Sequence, residues 1–144
     1  MGSKTVVFPD GVRVRGRGLG RPRPDESEPD FGLYLGTSRL RRKHGGGITW
    51  PHEWVTWPDF LLPVKPAEAR RQIKALHERA KVETVEVACY GGAGRTGTVM
   101  SCLAILSGVP ADEAIAWVRE HYNERAVETP WQRGWVKRFA GRLD

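Results

Sequence analysis

Hydrophobic and polar residues alternate over the first part of the chain, which is a strand pattern. Two β-branched runs flank a Pro-Asp-Gly turn, and Val12 and Val14 alternate with arginines, so residues 6–15 predict a β-hairpin. The other segments expected here are an irregular Gly-, Pro- and charge-rich loop at 16–30, a strand at 31–35, a basic glycine-rich connection through 45–47, and a short strand and loop at 50–60. This part of the chain therefore predicts short strands joined by irregular connections.

The hydrophobic period becomes helical from Pro66 onward. Pro66 suits the first turn of a helix, and an apolar stripe follows with charged residues opposite it. The β-branched run at 82–88 has the length of a strand and is the best candidate for a central strand. The stripe consists of Ala69, Ile73, Leu76 and Ala80, and later helices are expected at 96–106, from Pro110, and from Pro130 after the N-cap Thr129. This order predicts an α/β fold, with a central, mostly parallel sheet flanked by helices.

The length and composition are typical of one soluble globular domain. The chain has 144 residues, of which 40% are hydrophobic and 28% are charged, so we expect residues 1–144 to form a single domain with a buried core. No apolar run approaches the roughly 20 residues that span a bilayer. The N-terminus lacks the apolar core of a signal peptide. These features predict a cytoplasmic protein without a membrane partner.

The chain is basic, with a formal net charge of +6 and a pI of about 9.7. The excess is concentrated in two stretches, which contain Arg13, Arg15, Arg17, Arg21 and Arg23, and then Arg39, Arg41, Arg42 and Lys43. Such stretches form solvated surface, or they attract an anionic partner, either a phosphorylated substrate or a nucleic acid. Charge alone does not choose among these partners.

The glycine-rich segment after the predicted central strand, residues 87–97, has the residue types of an anion-binding loop. Residues 92–97 match the dinucleotide-binding pattern G-x-G-x-x-G. That fold needs an acidic residue on a following strand, whereas the acidic residues at the right distance, 112–113, open a predicted helix. A nucleotide-binding P-loop needs a lysine where Arg95 stands and a glycine where Cys89 stands. Neither nucleotide-binding motif fits the segment well.

A phosphate cradle with a covalent nucleophile fits the same segment better. Glycines allow successive backbone N–H groups to face an anion, and the next helix adds its positive N-terminus. Arg95 has the planar guanidinium that clamps two phosphate oxygens, and the same positive field favours the thiolate form of Cys89. We hypothesise that the Thr96 hydroxyl hydrogen-bonds the sulfur and eases its departure in the second step of the reaction. A buried structural cysteine beside a glycine turn is the alternative.

These residues resemble the signature loop of the protein tyrosine phosphatase superfamily, His-Cys-x5-Arg-Ser/Thr, especially that of its small dual-specificity-like members. The matching positions are Cys89, Gly94, Arg95, Thr96 and Gly97. Ala88 departs from the pattern, because it stands where the family has a histidine that supports the loop and the thiolate. The resemblance spans roughly residues 56–135. It implies the dual-specificity-like fold, with N-terminal strands and a basic loop at 1–50 and a catalytic core at 51–144.

The resemblance also implies roles for individual residues, with Cys89 as the nucleophile. Trp57-Pro58-Asp59 resembles the mobile Trp-Pro-Asp loop of the family, which implies that Asp59 is the general acid and then the general base. The segment 128–132 resembles the one in which related phosphatases carry a water-orienting glutamine, which implies that role for Gln132. The phosphate would lie among Tyr90, Gly91, Gly92, Ala93, Gly94 and Arg95. The reaction would pass through a phosphocysteine and need neither a metal nor a cofactor.

The remaining reactive side chains predict no second site. Two cysteines are too few for a disulfide framework or a zinc site, and Cys102 falls on an apolar helix, where we expect it to pack. The four histidines show no triad or metal-ligand spacing. The tryptophans Trp50, Trp54 and Trp131 are either core residues or walls of a pocket.

Several substrate classes remain open at this stage. Phosphotyrosine in proteins is the first expectation, with phosphoserine and phosphothreonine as further substrates, and a small-molecule or RNA phosphate ester is the second. Family members that act on polyphosphoinositides carry basic residues in the loop, and residues 90–93 include no lysine. Two alternatives are binding proteins without catalysis: a phosphate-binding module that has lost its activity, and a nucleic-acid-binding protein that uses the arginine-rich N-terminal region.

Overall fold

The computed structural model describes residues 3–22 and 27–141, and in these ranges the chain forms a sheet of five strands with helices around it. The strands are β1 (Lys4–Val7), β2 (Arg13–Gly18), β3 (Phe31–Gly36), β4 (His52–Thr56) and β5 (Val85–Cys89). The α-helices are α1 (Ser38–His44), α2 (Pro66–Ala80), α3 (Gly94–Leu106), α4 (Ala111–His121) and α5 (Pro130–Ala140), and a 3-10 turn covers Gly45–Gly47. The fold is therefore α/β, as the order of sequence patterns predicts.

The sheet is mostly parallel, and its strands lie in the order β1-β2-β5-β3-β4. Only the β1–β2 hairpin is antiparallel; β5 pairs in parallel with both β2 and β3, and β3 pairs in parallel with β4. Strand β5 is central, which confirms the prediction made from its β-branched run. Ligands of such sheets bind at the carboxyl ends of the strands. Cys89, the last residue of β5, lies at that edge.

The two faces of β5 belong to two separate hydrophobic clusters. Val85, Val87 and Cys89 face the main core, which α2, α3, α4 and α5 complete. Because side chains alternate along a strand, Glu86 and Ala88 face the other side. A smaller cluster of Leu19, Tyr34, Ile48, Trp50 and Ala88 covers that side. Helix α3 is buried from Gly94 to Ile105, so the segment that follows the candidate loop is anchored in the core.

A buried carboxylate on β5 ties three strands together. Glu86 is fully buried and accepts hydrogen bonds from Arg15 Nε at 3.1 Å, Arg17 Nε at 2.9 Å and the Tyr34 hydroxyl at 2.7 Å. The Tyr34 hydroxyl in turn accepts a bond from Trp50 Nε1 at 2.6 Å. Burial, followed by the charge of Glu86, raises the pKa of Tyr34 well above its usual range. Arg15 and Arg17 of β2 are thus structural, whereas the sequence suggested solvated charge or an anion-attracting field.

Three features of the structure differ from the expectations drawn from the sequence. Residues 16–18 continue β2 instead of opening a loop, because they pair in register with β5 up to Cys89. Residues 38–44 form α1 instead of an irregular connection; this helix buries no residue, so it has no apolar stripe to reveal it. Strand β5 begins at Val85 instead of Val82, whose side chain is 86% exposed. Arg23 and the predicted loop at 23–26 lie outside the described residues.

Candidate active site

The loop between β5 and α3 wraps around the sulfur of Cys89. Gly92 in this loop has a positive φ of 81°, and a Cβ there would lie 2.6 Å from the backbone nitrogen of Gly18 in β2. Residue 92 must therefore be a glycine for both conformation and space. The Cys89 carbonyl accepts the Leu19 N–H at 2.8 Å, and the Tyr90 carbonyl accepts the Gly20 N–H at 2.9 Å. The end of β2 thus holds the loop in place.

Two donors point at the sulfur of Cys89, a buried residue with 2% exposure. The Gly92 N–H donates to Sγ at 3.2 Å, and the Thr96 hydroxyl donates at 3.1 Å. The family histidine is absent here, and Ala88 instead packs in the smaller cluster with Tyr34 and Trp50.

Arg95, in the first turn of α3, is buried at 4% exposure and held by two carbonyl groups. Its Nη1 donates to the Trp57 carbonyl at 2.8 Å and to the Leu35 carbonyl at 3.3 Å. Its Nε has no hydrogen-bond acceptor among the described residues, and Asp59 Oδ1 lies 3.5 Å away. The guanidinium is thus oriented by carbonyl groups at the ends of β3 and β4, and its Nε–H is available to an acceptor such as the oxygen of an anion.

Asp59 lies at the mouth of the site, with its side chain 51% exposed. Its loop is anchored by the fully buried Trp57, whose Nε1 donates to the Leu61 carbonyl at 2.7 Å. Phe60, next to Asp59, has a φ of 62°, which is uncommon for a residue other than glycine. Backbone strain of this kind persists where the surrounding structure holds it, often at functional sites. The structure therefore brings Asp59 to Arg95 across 36 positions of sequence, as expected if both serve one site.

Gln132 is fully buried and links α5 to the loop that carries Asp59. Its Oε1 accepts the N–H groups of Glu128 at 2.9 Å and Thr129 at 3.3 Å, and its own N–H donates to the Thr129 hydroxyl. This is a capping box, which satisfies backbone donors at the start of the helix. The Gln132 amide nitrogen donates to the Leu61 carbonyl at 3.2 Å.

Tyr122, directly after α4, supports the loop between β5 and α3. Its hydroxyl donates to the Gly92 carbonyl. Burial, and next the nearby Cys89, raise the pKa of Tyr122 above its usual range. The other cysteine, Cys102, is fully buried in the core within α3, and burial raises the pKa of its thiol well above the usual value. Cys102 thus packs as an apolar residue, as the sequence predicts.

Glu128 is a carboxylate at the site that the sequence analysis did not assign. It packs against Gly94 so closely that any side chain at residue 94 would overlap its carboxylate. Burial, and next the charge of Asp59, raise the pKa of Glu128, whereas Arg95 and Arg125 act in the opposite direction. The only sequence signal was its place directly before the N-cap of a helix, which is not specific for an active site.

The backbone before Glu128 is held in an unusual conformation. Val127 has a φ of 63°, which is an outlier for a β-branched residue. Arg119 donates to the carbonyls of Ala126 at 2.8 Å and Val127 at 2.7 Å. These bonds and the capping box fix the position of Glu128 from both sides.

A pocket of about 370 Å³ adjoins Arg95 and Asp59. Its other walls include Tyr90 of the loop and Arg39, Lys43 and His44 of α1. Within residues 3–22 and 27–141, no three His, Cys, Asp or Glu side chains are grouped to hold a metal ion. No described helix is long and apolar enough to cross a membrane.

A family model and a curated relative match parts of the chain. The family model described as protein-tyrosine phosphatase matches residues 33–125. An uncharacterised protein of Methanocaldococcus jannaschii is 47% identical over 57 residues, which are 40% of this chain and 35% of that protein. The match therefore spans about a third of that relative's length.

Solved structures show a similar fold over almost the whole chain. Tk-PTP in its active form is 25% identical, with 96% of this chain and 97% of that chain covered and a TM-score of 0.71. The kinase associated phosphatase KAP, with its catalytic-site cysteine replaced by serine, is 15% identical, with 98% and 94% covered and a TM-score of 0.80. At 15% identity the likeness concerns the fold alone.

Proposed function

The chain belongs to the protein-tyrosine phosphatase family, and we propose that it hydrolyses phosphate monoesters with Cys89 as the nucleophile. The observation that carries this proposal is that residues 89–96 hold both a sulfur with two hydrogen-bond donors and an Arg95 Nε without an acceptor among the described residues. The fold and the family support a cysteine-based phosphatase. We propose that residues 1–144 act as one phosphatase domain.

In the first step the Cys89 thiolate attacks phosphorus. A sulfur–phosphorus bond forms, the ester oxygen–phosphorus bond breaks, and Asp59 gives its proton to the departing oxygen. Arg95 and the backbone N–H groups of residues 90–94 stabilise the negative charge on the equatorial phosphoryl oxygens. The distance of 3.5 Å between Asp59 Oδ1 and Arg95 Nε supports this proposal, because the two side chains would then reach the same phosphoryl group.

In the second step water attacks the phosphocysteine and Asp59 accepts its proton. The phosphorus–sulfur bond breaks, and the hydroxyl of Thr96, 3.1 Å from Sγ, stabilises the departing thiolate. Gln132 is proposed to orient the water. Its hydrogen bond to the Leu61 carbonyl supports a link to the Asp59 loop. No step uses a metal or a cofactor.

The first proposed substrate is phosphotyrosine in proteins, and phosphoserine and phosphothreonine are further candidates. The half-exposed Tyr90 and Asp59 at the mouth of the site support access by a protein side chain. A small-molecule or RNA phosphate ester is the alternative enzyme substrate. Protein that binds phosphate analogues without turnover would instead be a binding module. Salt-dependent RNA binding without hydrolysis would favour a nucleic-acid-binding protein.

Hydrolysis of an aryl phosphate in excess EDTA tests the mechanism. Cys89→Ser should abolish turnover, whereas the control Cys102→Ala changes the other cysteine and should leave turnover near the wild-type rate. Asp59→Asn should lower turnover while the protein still binds a phosphate analogue. Activity retained in Cys89→Ser would remove the proposed nucleophile, and an unchanged rate in Asp59→Asn would remove the proposed acid.

A further inference from the structure

Helix α1 forms one wall of the pocket that contains Arg95 and Asp59. Arg39 and Lys43 both line this pocket, and they are four residues apart, so they lie on the same helical face. No residue of α1 is buried. Packing in the core therefore does not explain the basic side chains on this face.

The two cations on this wall are not paired with any carboxylate among the described residues. Within the described parts of the chain, neither Arg39 nor Lys43 forms an ion pair, and the first turn of α1 has no acidic residue. Helix α2 is different, because Arg79 pairs with Glu83 at 3.1 Å. Like charges four residues apart repel each other in a helix. An anion bound between Arg39 and Lys43 would remove that repulsion.

His44 gives an independent indication of a ligand at the same wall. Its Nε2 is buried and, among the described residues, has no hydrogen-bond partner. Buried polar atoms without a partner are rare in native proteins. His44 lines the same pocket, and its ring centroid lies 6.3 Å from that of Tyr90. A polar group of a bound molecule in this pocket is a suitable partner for Nε2.

The pocket has room for more than the scissile phosphate. Its volume of about 370 Å³ falls within the range of about 300–1,000 Å³ that small-molecule pockets occupy. Arg95, which the proposed function assigns to the scissile phosphate, is one of its lining residues. The remaining walls supply cations from α1 and the 51% exposed ring of Tyr90.

From these observations we infer that Arg39 and Lys43 form a subsite for a second anionic group of the substrate. The inference rests on the proposed function, because that function places the scissile phosphate in the Cys89 loop. The substrate class is a phosphate monoester with another phosphate or carboxylate close to the scissile group. A phosphotyrosine followed by acidic residues has this chemistry, and so does a small bisphosphate.

Two double variants of α1, each of which removes two positive charges, test this subsite. Arg39→Gln/Lys43→Gln removes the pocket cations, and Arg41→Gln/Arg42→Gln removes two cations of the same helix that do not line the pocket. All four side chains are exposed, so both variants should fold as the wild type does. The substrates are two phosphotyrosine peptides that differ only in having glutamate or glutamine beside the phosphotyrosine. A sugar bisphosphate and the matching monophosphate form a third and fourth arm.

The wild-type protein should prefer the acidic peptide by about tenfold in kcat/KM, mainly through KM. Arg39→Gln/Lys43→Gln should lose this preference while kcat on the neutral peptide stays within about twofold. The control pair should keep the preference. A stronger preference for the sugar bisphosphate, lost in the same variant, would support the subsite with a small molecule as the source of the anion.

If Arg39→Gln/Lys43→Gln loses the same fraction of kcat/KM on the acidic and neutral peptides, or if the two double variants behave alike, the subsite is overturned. The general positive field of the helix would then explain the effect. Hydrolysis by the wild type with no preference for a second anion would overturn this inference alone. Absence of any hydrolysis, including that of a simple aryl phosphate, would overturn the proposed function together with it.

Discussion

Replacing Glu86 with glutamine removes the charge at the centre of the buried network on β5. Glu86 is fully buried and accepts bonds from Arg15 at 3.1 Å and Arg17 at 2.9 Å, whose side chains are 9% and 7% exposed. Glutamine has nearly the same shape and still offers an oxygen to Tyr34, so the change isolates the charge. It leaves two buried guanidinium groups without this carboxylate.

The size of the effect follows from these contacts. Hydrogen bonds to charged groups contribute about 1.5–3 kcal/mol each, and removing one partner of a buried ion pair costs about 3–5 kcal/mol. Arg15 keeps a bond to the Ser27 carbonyl at 3.2 Å, so we expect the lower end of this range, about 3 kcal/mol in the free energy of unfolding. For a domain of this size each kcal/mol shifts Tm by about 2–4 °C. The expected fall in Tm is therefore about 6–12 °C.

Thermal unfolding followed by circular dichroism measures this change, with Glu83→Gln as the matched control. Glu83 pairs with Arg79 at 3.1 Å on the surface, where side-chain exposures are 33% and 44%. Exposed pairs of this kind contribute about 0.3–0.5 kcal/mol, so the control should lower Tm by no more than about 2 °C. If Glu86→Gln stays within that same small range, or if both variants lose equal stability, the buried network does not stabilise the fold as reasoned.

Three further predictions concern the loop and its supports. Gly92→Ala should destabilise the protein and abolish turnover, because φ of residue 92 is positive and the new Cβ would meet the β2 backbone. Gly91→Ala, with open space around its Cβ, should keep most activity, and equal turnover rates of the two variants would contradict this prediction. Asp59→Asn should lower the pKa of Glu128 without restoring its usual value, because burial, the larger cause of the raised pKa, remains. Carbon NMR titration measures this pKa, and an unchanged value would exclude an electrostatic interaction between Asp59 and Glu128. The free energy of unfolding should fall as pH rises above about 10, because the unfolded state releases the Tyr122 proton there while the folded state, with its raised pKa, retains it. Tyr122→Phe should make this fall with pH less steep, and denaturant titrations that give the same pH dependence for both proteins would refute the prediction.

Local chemistry explains which parts of the fold the sequence predicts. Helix α2 and strand β5 carry their own apolar periodicity, and Thr129–Pro130 carries its own capping signal, so all three could be recognised without contacts elsewhere. Helix α1 could not, since none of its residues is buried and its sequence has no apolar face. The continuation of β2 to Gly18 was missed for a related reason. Its pairing with β5 joins residues about 70 positions apart and outweighs the local preference of glycine for loops.

In the candidate site, too, some features follow from local sequence and others arise only from tertiary contacts. The sequence by itself determined the loop from Cys89 to Arg95, because its cysteine, glycines and guanidinium lie in one short stretch of backbone. Only the tertiary structure decided what surrounds it. The carbonyl of Trp57 that orients Arg95 is 38 positions away, and the Leu61 carbonyl bound by Gln132 is 71 positions away. Contacts over such separations arise from packing of the sheet and helices, which no local pattern specifies. The contact of Glu128 with Gly94 has this origin too, as does the basic wall of the pocket.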